Sequence, residues 1–153
     1  MKSSPYVVLV VEDQFLARVS IAIDLEDAGF VVHKAADTHH ALEMLERYPQ
    51  IEVLFTDINM PGALNGLDLA TRVRLRWPKI GIVITSGHQT PLTSQMPPDA
   101  IFLSKPYNAR DATRMLLDMV SDQRSGAELA CPTRRLGEER QGRHVRSHLP
   151  ARQ

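Results

Sequence analysis

Five short apolar runs limit what this chain can fold into. They read YVVLVV (Tyr6–Val11), FVVHKA (Phe30–Ala35), IEVLFT (Ile51–Thr56), KIGIVIT (Lys79–Thr85) and AIFLS (Ala100–Ser104). The runs are short and rich in β-branched residues, and the first has no polar alternation; they predict strands, the first buried on both faces. Between them the period changes. Phe15, Val19, Ala22, Leu25 and Ala28 recur at steps of three and four, predicting the core-facing stripe of a helix that Gly29 is placed to end. Ala41, Leu45 and Tyr48 predict a second helix, stopped by Pro49. Leu67, Ala70, Val73 and Trp77 predict a third with Pro78 beyond it, and Ala112, Met115, Leu116 and Met119 a last one. Strands that alternate with helices predict a parallel sheet covered on both faces.

One connection resists the pattern. HQTPLTSQMPPDA, between the fourth and fifth runs, carries Pro91, Pro97 and Pro98. Proline removes a backbone donor and crowds the preceding turn, so only a short or irregular helix is expected there.

Charge divides the chain. It has 153 residues with 18 basic and 18 acidic side chains, a balance that excludes a strongly basic nucleic-acid or membrane-surface binder. Residues 1–120 hold 11 basic and 14 acidic groups, whereas residues 121–153 hold 7 and 4. Apolar periodicity stops near Ser121. We expect one domain over residues 5–121, then a basic, mostly disordered tail over 122–153 that cannot bury enough surface to offset chain entropy. The tail shows no helix-turn-helix pattern, so no DNA binding is expected. The single Cys131 excludes an internal disulfide. No apolar run approaches the ~18 residues of a membrane span, and the amino terminus lacks a leader layout. A cytoplasmic protein without membrane contact is expected.

Ligands of open parallel sheets gather at the carboxyl ends of the strands. There the first run delivers Glu12 and Asp13, the third Asp57, the fourth Thr85, Ser86 and Gly87, and the fifth Ser104, Lys105 and Pro106. Three converging carboxylates repel one another, and a hard divalent cation such as Mg²⁺ relieves that repulsion. Lys105 and a neighbouring hydroxyl suit an anion arriving beside the metal. A phosphoryl group fits, with Asp57 as its nucleophile. Taken singly, each residue has a plainer reading. Asp13 suits a helix N-cap, Asp57 an Asx turn, and Lys105-Pro106 a solvated lysine before a helix-opening proline. Ser86-Gly87 suits a turn and Phe102 the core. The histidines His39, His40, His88, His144 and His148 lack ligand spacing and read as solvated.

VVLVVED, VLFTDINMPG, IVITSGH and FLSKPY, in this order and spacing, resemble the receiver domain of two-component response regulators over roughly residues 5–120. The resemblance implies an α/β, flavodoxin-like (βα)5 fold: a doubly wound parallel five-stranded sheet in the order 2-1-3-4-5. It implies that Asp57 accepts a phosphoryl group from a histidine kinase or a histidine phosphotransfer protein. Self-catalysed phosphorylation and dephosphorylation of that aspartate would follow, not turnover as a classical enzyme. Glu12, Asp13, Asp57 and the Asn59 backbone carbonyl would serve Mg²⁺. Lys105 would contact the phosphoryl oxygens, with a cis peptide bond to Pro106. Ser86 would be the switch hydroxyl, with Thr85 as the alternative, and Phe102 the aromatic switch.

The sequence departs from the family pattern in the loop after the third strand, NMPGALNGL, one residue longer than usual, and in the proline-interrupted fourth helix, and no effector domain is expected to follow. A stand-alone receiver is therefore expected, acting through an unknown downstream protein or as a relay intermediate. A phosphorylation-dependent homodimer is admitted. A receiver-fold interaction module that takes no phosphate is the alternative.

Overall fold

The computed structural model describes residues 4–126. Five parallel strands, β1 (Val7–Val11), β2 (Val31–Ala35), β3 (Val53–Asp57), β4 (Gly81–Ser86) and β5 (Ile101–Ser104), form one sheet in the order β2-β1-β3-β4-β5. This is the expected order. The three inner strands are buried along their whole length, whereas the edges β2 and β5 are partly exposed. Helices α1 (Phe15–Asp27), α2 (Thr38–Arg47) and α3 (Gly66–Arg76) connect them, and α4 starts at residue 109.

Alternation along the strands divides the core in two. Leu9, Leu54 and Ile82 pack with Ala41 and Leu45 of α2 and with Leu69, Ala70 and Val73 of α3. Val8, Phe55 and Val83 pack with Ile21 and Leu25 of α1 and with Ala112 and Leu116 of α4. The carboxyl ends of β1 and β3 thus emerge side by side in mid-sheet, with β4 beside β3.

Local chemistry sets the helix ends. Asp37 caps α2 by accepting from the His40 amide at 2.8 Å, and Asn65 and Asp68 form a reciprocal capping box on α3. At the end of α1 the Phe30 amide donates to the Leu25 carbonyl and the Gly29 amide to that of Glu26. Gly29 sits there at φ 100°, the left-handed conformation that a Schellman end requires.

Two expectations change. The core face of α1 is carried by Ile21, Ala22 and Leu25, so Ala22 and Leu25 of the expected stripe are buried, whereas Phe15 is 65% exposed and Ala28 is exposed. The helix is apolar nearly all round, so periodicity alone could not choose its face. As expected, the connection between β4 and β5 holds only a short helical piece, a 3₁₀ turn, Thr93–Gln95, ahead of Pro97 and Pro98. Helix also continues through residues 121–126, beyond the point where apolar periodicity stops, because an existing helix extends at little cost. Residues 4–120 belong to one compact unit. The expected tail beyond residue 126, with His144, His148 and Cys131, lies outside the described residues.

Candidate functional site

The carboxyl ends of β1 and β3 bring Glu12, Asp13 and Asp57 together, each offering an oxygen within 4.8 Å of the others. Glu12 and Asp57 are buried. From the end of β5, Lys105 Nζ lies 2.8 Å from Glu12 Oε2 and 3.5 Å from Asp57 Oδ2. The Gln14 amide donates to Glu12 Oε1 at 3.2 Å. Asp57 Oδ1 is buried and has no hydrogen-bond partner among the described residues.

These contacts remove the plainer readings. Gln14, not Asp13, is the N-cap of α1, and it makes no side-chain cap. The orphaned Oδ1 is not closing an Asx turn. Lys105 is an ion-pair partner of two buried carboxylates, and Pro106 precedes α4 without opening it. Asn108 serves that end, accepting from the Arg110 amide at 2.7 Å. The Lys105–Pro106 peptide bond is cis.

Ser86 Oγ accepts from the Asn59 side chain at 3.2 Å and from the His88 and Gln89 amides at 3.2 and 3.3 Å. The neighbouring Thr85 is the register partner of Asp57 and gives its carbonyl to the Ile58 amide. The hydroxyl that meets the Asn59 side chain is therefore that of Ser86. Phe102 is half-buried on β5 and packs against the α2/α3 core, as do Met96 and Ala100. His39 pairs with Glu43 on an exposed face, and His40 and His88 are exposed as well.

Two contributors escaped sequence reasoning. Gly66 opens α3 directly against the main chain of Asp57: a Cβ there would overlap the Asp57 carbonyl. Only the Asn65-Gly66 pair hinted at it, and that pair reads equally as a turn. Arg18 Nη1 donates to the Glu12 carbonyl at 2.8 Å, tying α1 to the acidic turn. In sequence it is merely one arginine on an exposed helix.

Electrostatics follow from burial and proximity. Burial raises the Glu12 carboxyl above its ordinary range, against the opposing pull of its Lys105 bond. Burial alone would lower Lys105, but Glu12 and Asp57 outweigh it and hold the ammonium above its usual value. Burial, with the charges of Glu12, Asp24 and Asp57, pushes Tyr107 up to about 12. A cleft of about 550 Å³ between α1 and the residues after β5 opens onto Lys105, bordered by Gln14, Ala17, Ser20, Asp24 and Tyr107.

An orphaned carboxylate oxygen and two further carboxylates form an all-oxygen donor set beside the ammonium of Lys105. Comparison with known proteins agrees with that arrangement. The response regulator receiver domain family matches residues 8–117. This chain belongs to that family. A receiver protein from Sinorhizobium medicae superposes with a TM-score of 0.74 at 26% identity, over 78% of this chain and 98% of the other. A sensor kinase, CckA, of Brucella abortus is 29% identical over 76% of this chain. A putative NtrX-like response regulator of Rickettsia felis is 32% identical over 66%. These receiver relatives are longer proteins: the match spans 13% of the first and 22% of the second. Among the described residues no helix is long and apolar enough to cross a membrane.

Proposed function

We propose that residues 5–121 act as a phosphorylation-controlled receiver, in the cytoplasm, with Asp57 as phosphoacceptor. The buried, unpartnered Oδ1 of Asp57 carries this reading, because leaving such an oxygen unpaired is costly unless a ligand uses it. Glu12, Asp13, Asp57 and the Asn59 carbonyl are the candidate holders of Mg²⁺. When bound, that ion would neutralise the carboxylates and the incoming phosphoryl oxygens. A carboxylate oxygen of Asp57 attacks phosphorus and forms an O–P bond. The N–P bond to a donor phosphohistidine breaks, and the imidazole leaves to regain a proton. Lys105, already between Glu12 and Asp57, turns toward the phosphoryl oxygens as Asp57 loses its carboxylate charge in the new acyl phosphate.

Ser86 is the switch hydroxyl. A move toward the phosphoryl group withdraws the acceptor of the His88 and Gln89 amides, so the segment leading to β5 and Phe102 responds. The donor is a histidine kinase or histidine phosphotransfer protein. The output is altered protein–protein contact or onward transfer of the phosphoryl group.

The test is direct. With Mg²⁺ and acetyl phosphate, intact-mass spectrometry should show one added phosphoryl group, absent after chelation and absent in Asp57→Asn. Equal labelling of Asp57→Asn would move the acceptor elsewhere. No labelling of the native chain would favour the phosphate-independent interaction module.

A further inference from the structure

The loop between β3 and α3 walls a second pocket, none of whose lining residues belongs to the acidic cluster. Pro61, Gly62, Ala63 and Leu64 face the start of α2 and, with Arg72 of α3, bound a volume of about 330 Å³. Two features build it. Gly62 turns the loop at φ 116°, a conformation that favours glycine. Thr38, buried in the first turn of α2, donates its hydroxyl to the Leu64 carbonyl at 3.2 Å and so ties the loop to the helix.

The walls are apolar, with Leu42 on α2 opposite Pro61, Ala63 and Leu64 on the loop. Three lining side chains can carry charge, and two of them are already engaged. Asp37 accepts the His40 amide at 2.8 Å as the cap of α2, and His39 pairs with Glu43 at 3.1 Å. Arg72 is exposed and enters no hydrogen bond or ion pair among the described residues. Asp68, one turn before it, is held in the capping box of α3 instead. An arginine on an open helix face is merely solvated, but this one borders an apolar hollow.

We propose that the pocket binds a small organic acid, its apolar chain against Leu42 and Leu64 and its carboxylate on Arg72. The class follows from the lining. The volume lies at the small end of ligand pockets, about 300–1,000 Å³, so one short chain or ring fits. The guanidinium presents parallel donors that match a carboxylate. A neutral molecule would leave it unused, and an organic cation would meet like charge. The site stands apart from the phosphoacceptor reading, and Asp57→Asn binds the acid with an unchanged constant.

Amide NMR of the full isotopically labelled chain, titrated with hexanoate through the millimolar range, tests this. The resonances of Thr38, His39, Leu42, Ala63 and Leu64 should move together and saturate, while those of β1 and β3 stay in place. Hexylammonium at the same concentrations should move none of them. Arg72→Gln should raise the dissociation constant about tenfold, and Arg72→Lys should keep part of the affinity, since an ammonium lacks the planar fork. Ala63→Trp, at an exposed position, should fill the pocket and abolish the response with unchanged circular dichroism. Lining amides that do not move in the native chain overturn the proposal. So does an equal response to hexylammonium, an Arg72→Gln variant that binds hexanoate as tightly, or movement confined to the amides around Lys105.

Discussion

Lys105 at the end of β5 is bonded to Glu12 at the end of β1, Nζ to Oε2 at 2.8 Å, across the two strands that lie between them in the sheet. Residues 93 apart in sequence thus share a charge-assisted bond at one sheet edge, with Glu12 almost completely buried. The pair fixes the cation of the site before any ligand arrives.

Removing the lysine should therefore be felt in the resting protein. Lys105→Ala leaves Glu12 buried opposite Asp57 without its cation. Loss of one partner of a buried pair costs about 3–5 kcal/mol, and partial solvation of Lys105 reduces that to about 2 kcal/mol. Urea denaturation should read this loss, and adding Glu12→Gln should recover more than half of it. The single variant should also take phosphate from acetyl phosphate far more slowly. A single variant as stable as the native chain would mean that the pair is energetically idle.

Gly66 offers a sharper test of the acceptor's setting. Its Cα faces the Asp57 carbonyl so closely that a methyl group cannot be added without moving one main chain. The Gly66 amide also donates to the Ile58 carbonyl at 2.9 Å, so the loop is held from both sides. Gly66→Ala should cost about 1–3 kcal/mol through overpacking and should lower the phosphorylation rate by displacing Asp57. Thermal unfolding and the labelling time course check the two effects separately. Alanine at an ordinary first helical position would be neutral or stabilising, so the sign of the stability change decides.

A parallel sheet and four helical segments were legible because short β-branched runs and helical periods alternate everywhere but in the connection between β4 and β5; the strand order came from the resemblance of the strand-end motifs to receiver domains. Asp57, Glu12, Asp13 and Lys105 were legible because strand ends in an open sheet converge by topology. The face of α1 was legible only in part. Phe15, Leu16, Val19, Ile21, Ala22, Ile23 and Leu25 are all apolar, and only packing against β1, β2 and α4 selects Ile21, Ala22 and Leu25. Gly66 and Arg18 were invisible for another reason: each acts on a neighbour's main chain, and main-chain partners leave no mark in residue type.

Tyr107 gives the pH dependence a definite sign. Its phenol packs edge-on to Phe55 with ring centroids 5.9 Å apart, and it is pushed up to about 12 first by burial and then by nearby carboxylates. The ordinary phenol ionises near 10, so the unfolded chain releases this proton at lower pH than the folded one. The group's contribution to stability is fully present below about pH 10 and is lost as pH rises toward 12. Lys105, whose ammonium is also held above its ordinary value, adds a loss of the same sign in alkaline solution. Urea midpoints measured from about pH 9, below both ionisations, to about pH 12 should fall, and Tyr107→Phe should flatten the fall. An identical slope in the two proteins would assign the alkaline loss to other groups.

Arg74 on α3 holds the irregular connection that replaces a helix between β4 and β5. Its Nε donates to the Pro98 carbonyl at 2.9 Å, and its Nη1 to the carbonyls of Pro78 and Ile80 at 3.1 and 2.7 Å. A proline-rich segment has few internal amide bonds, so its position depends on such anchors. At the other end the segment hangs on Ser86 Oγ, which accepts from the His88 and Gln89 amides. The segment is thus pinned at a hydroxyl beside the acidic site and at a guanidinium on α3. Arg74→Ala should cost about 1 kcal/mol, since the partly buried Ile80 carbonyl loses a charged donor while those of Pro78 and Pro98 stay open to water. Hydrogen exchange should quicken for the amides of Gln95, Met96 and Ala100 while those of β1 and β3 keep their protection. Ser86→Ala should quicken exchange at His88 and Gln89 without affecting Ala100. If either substitution loosened both ends equally, the segment would move as one body, and the site would be coupled to the β5 edge through its whole length.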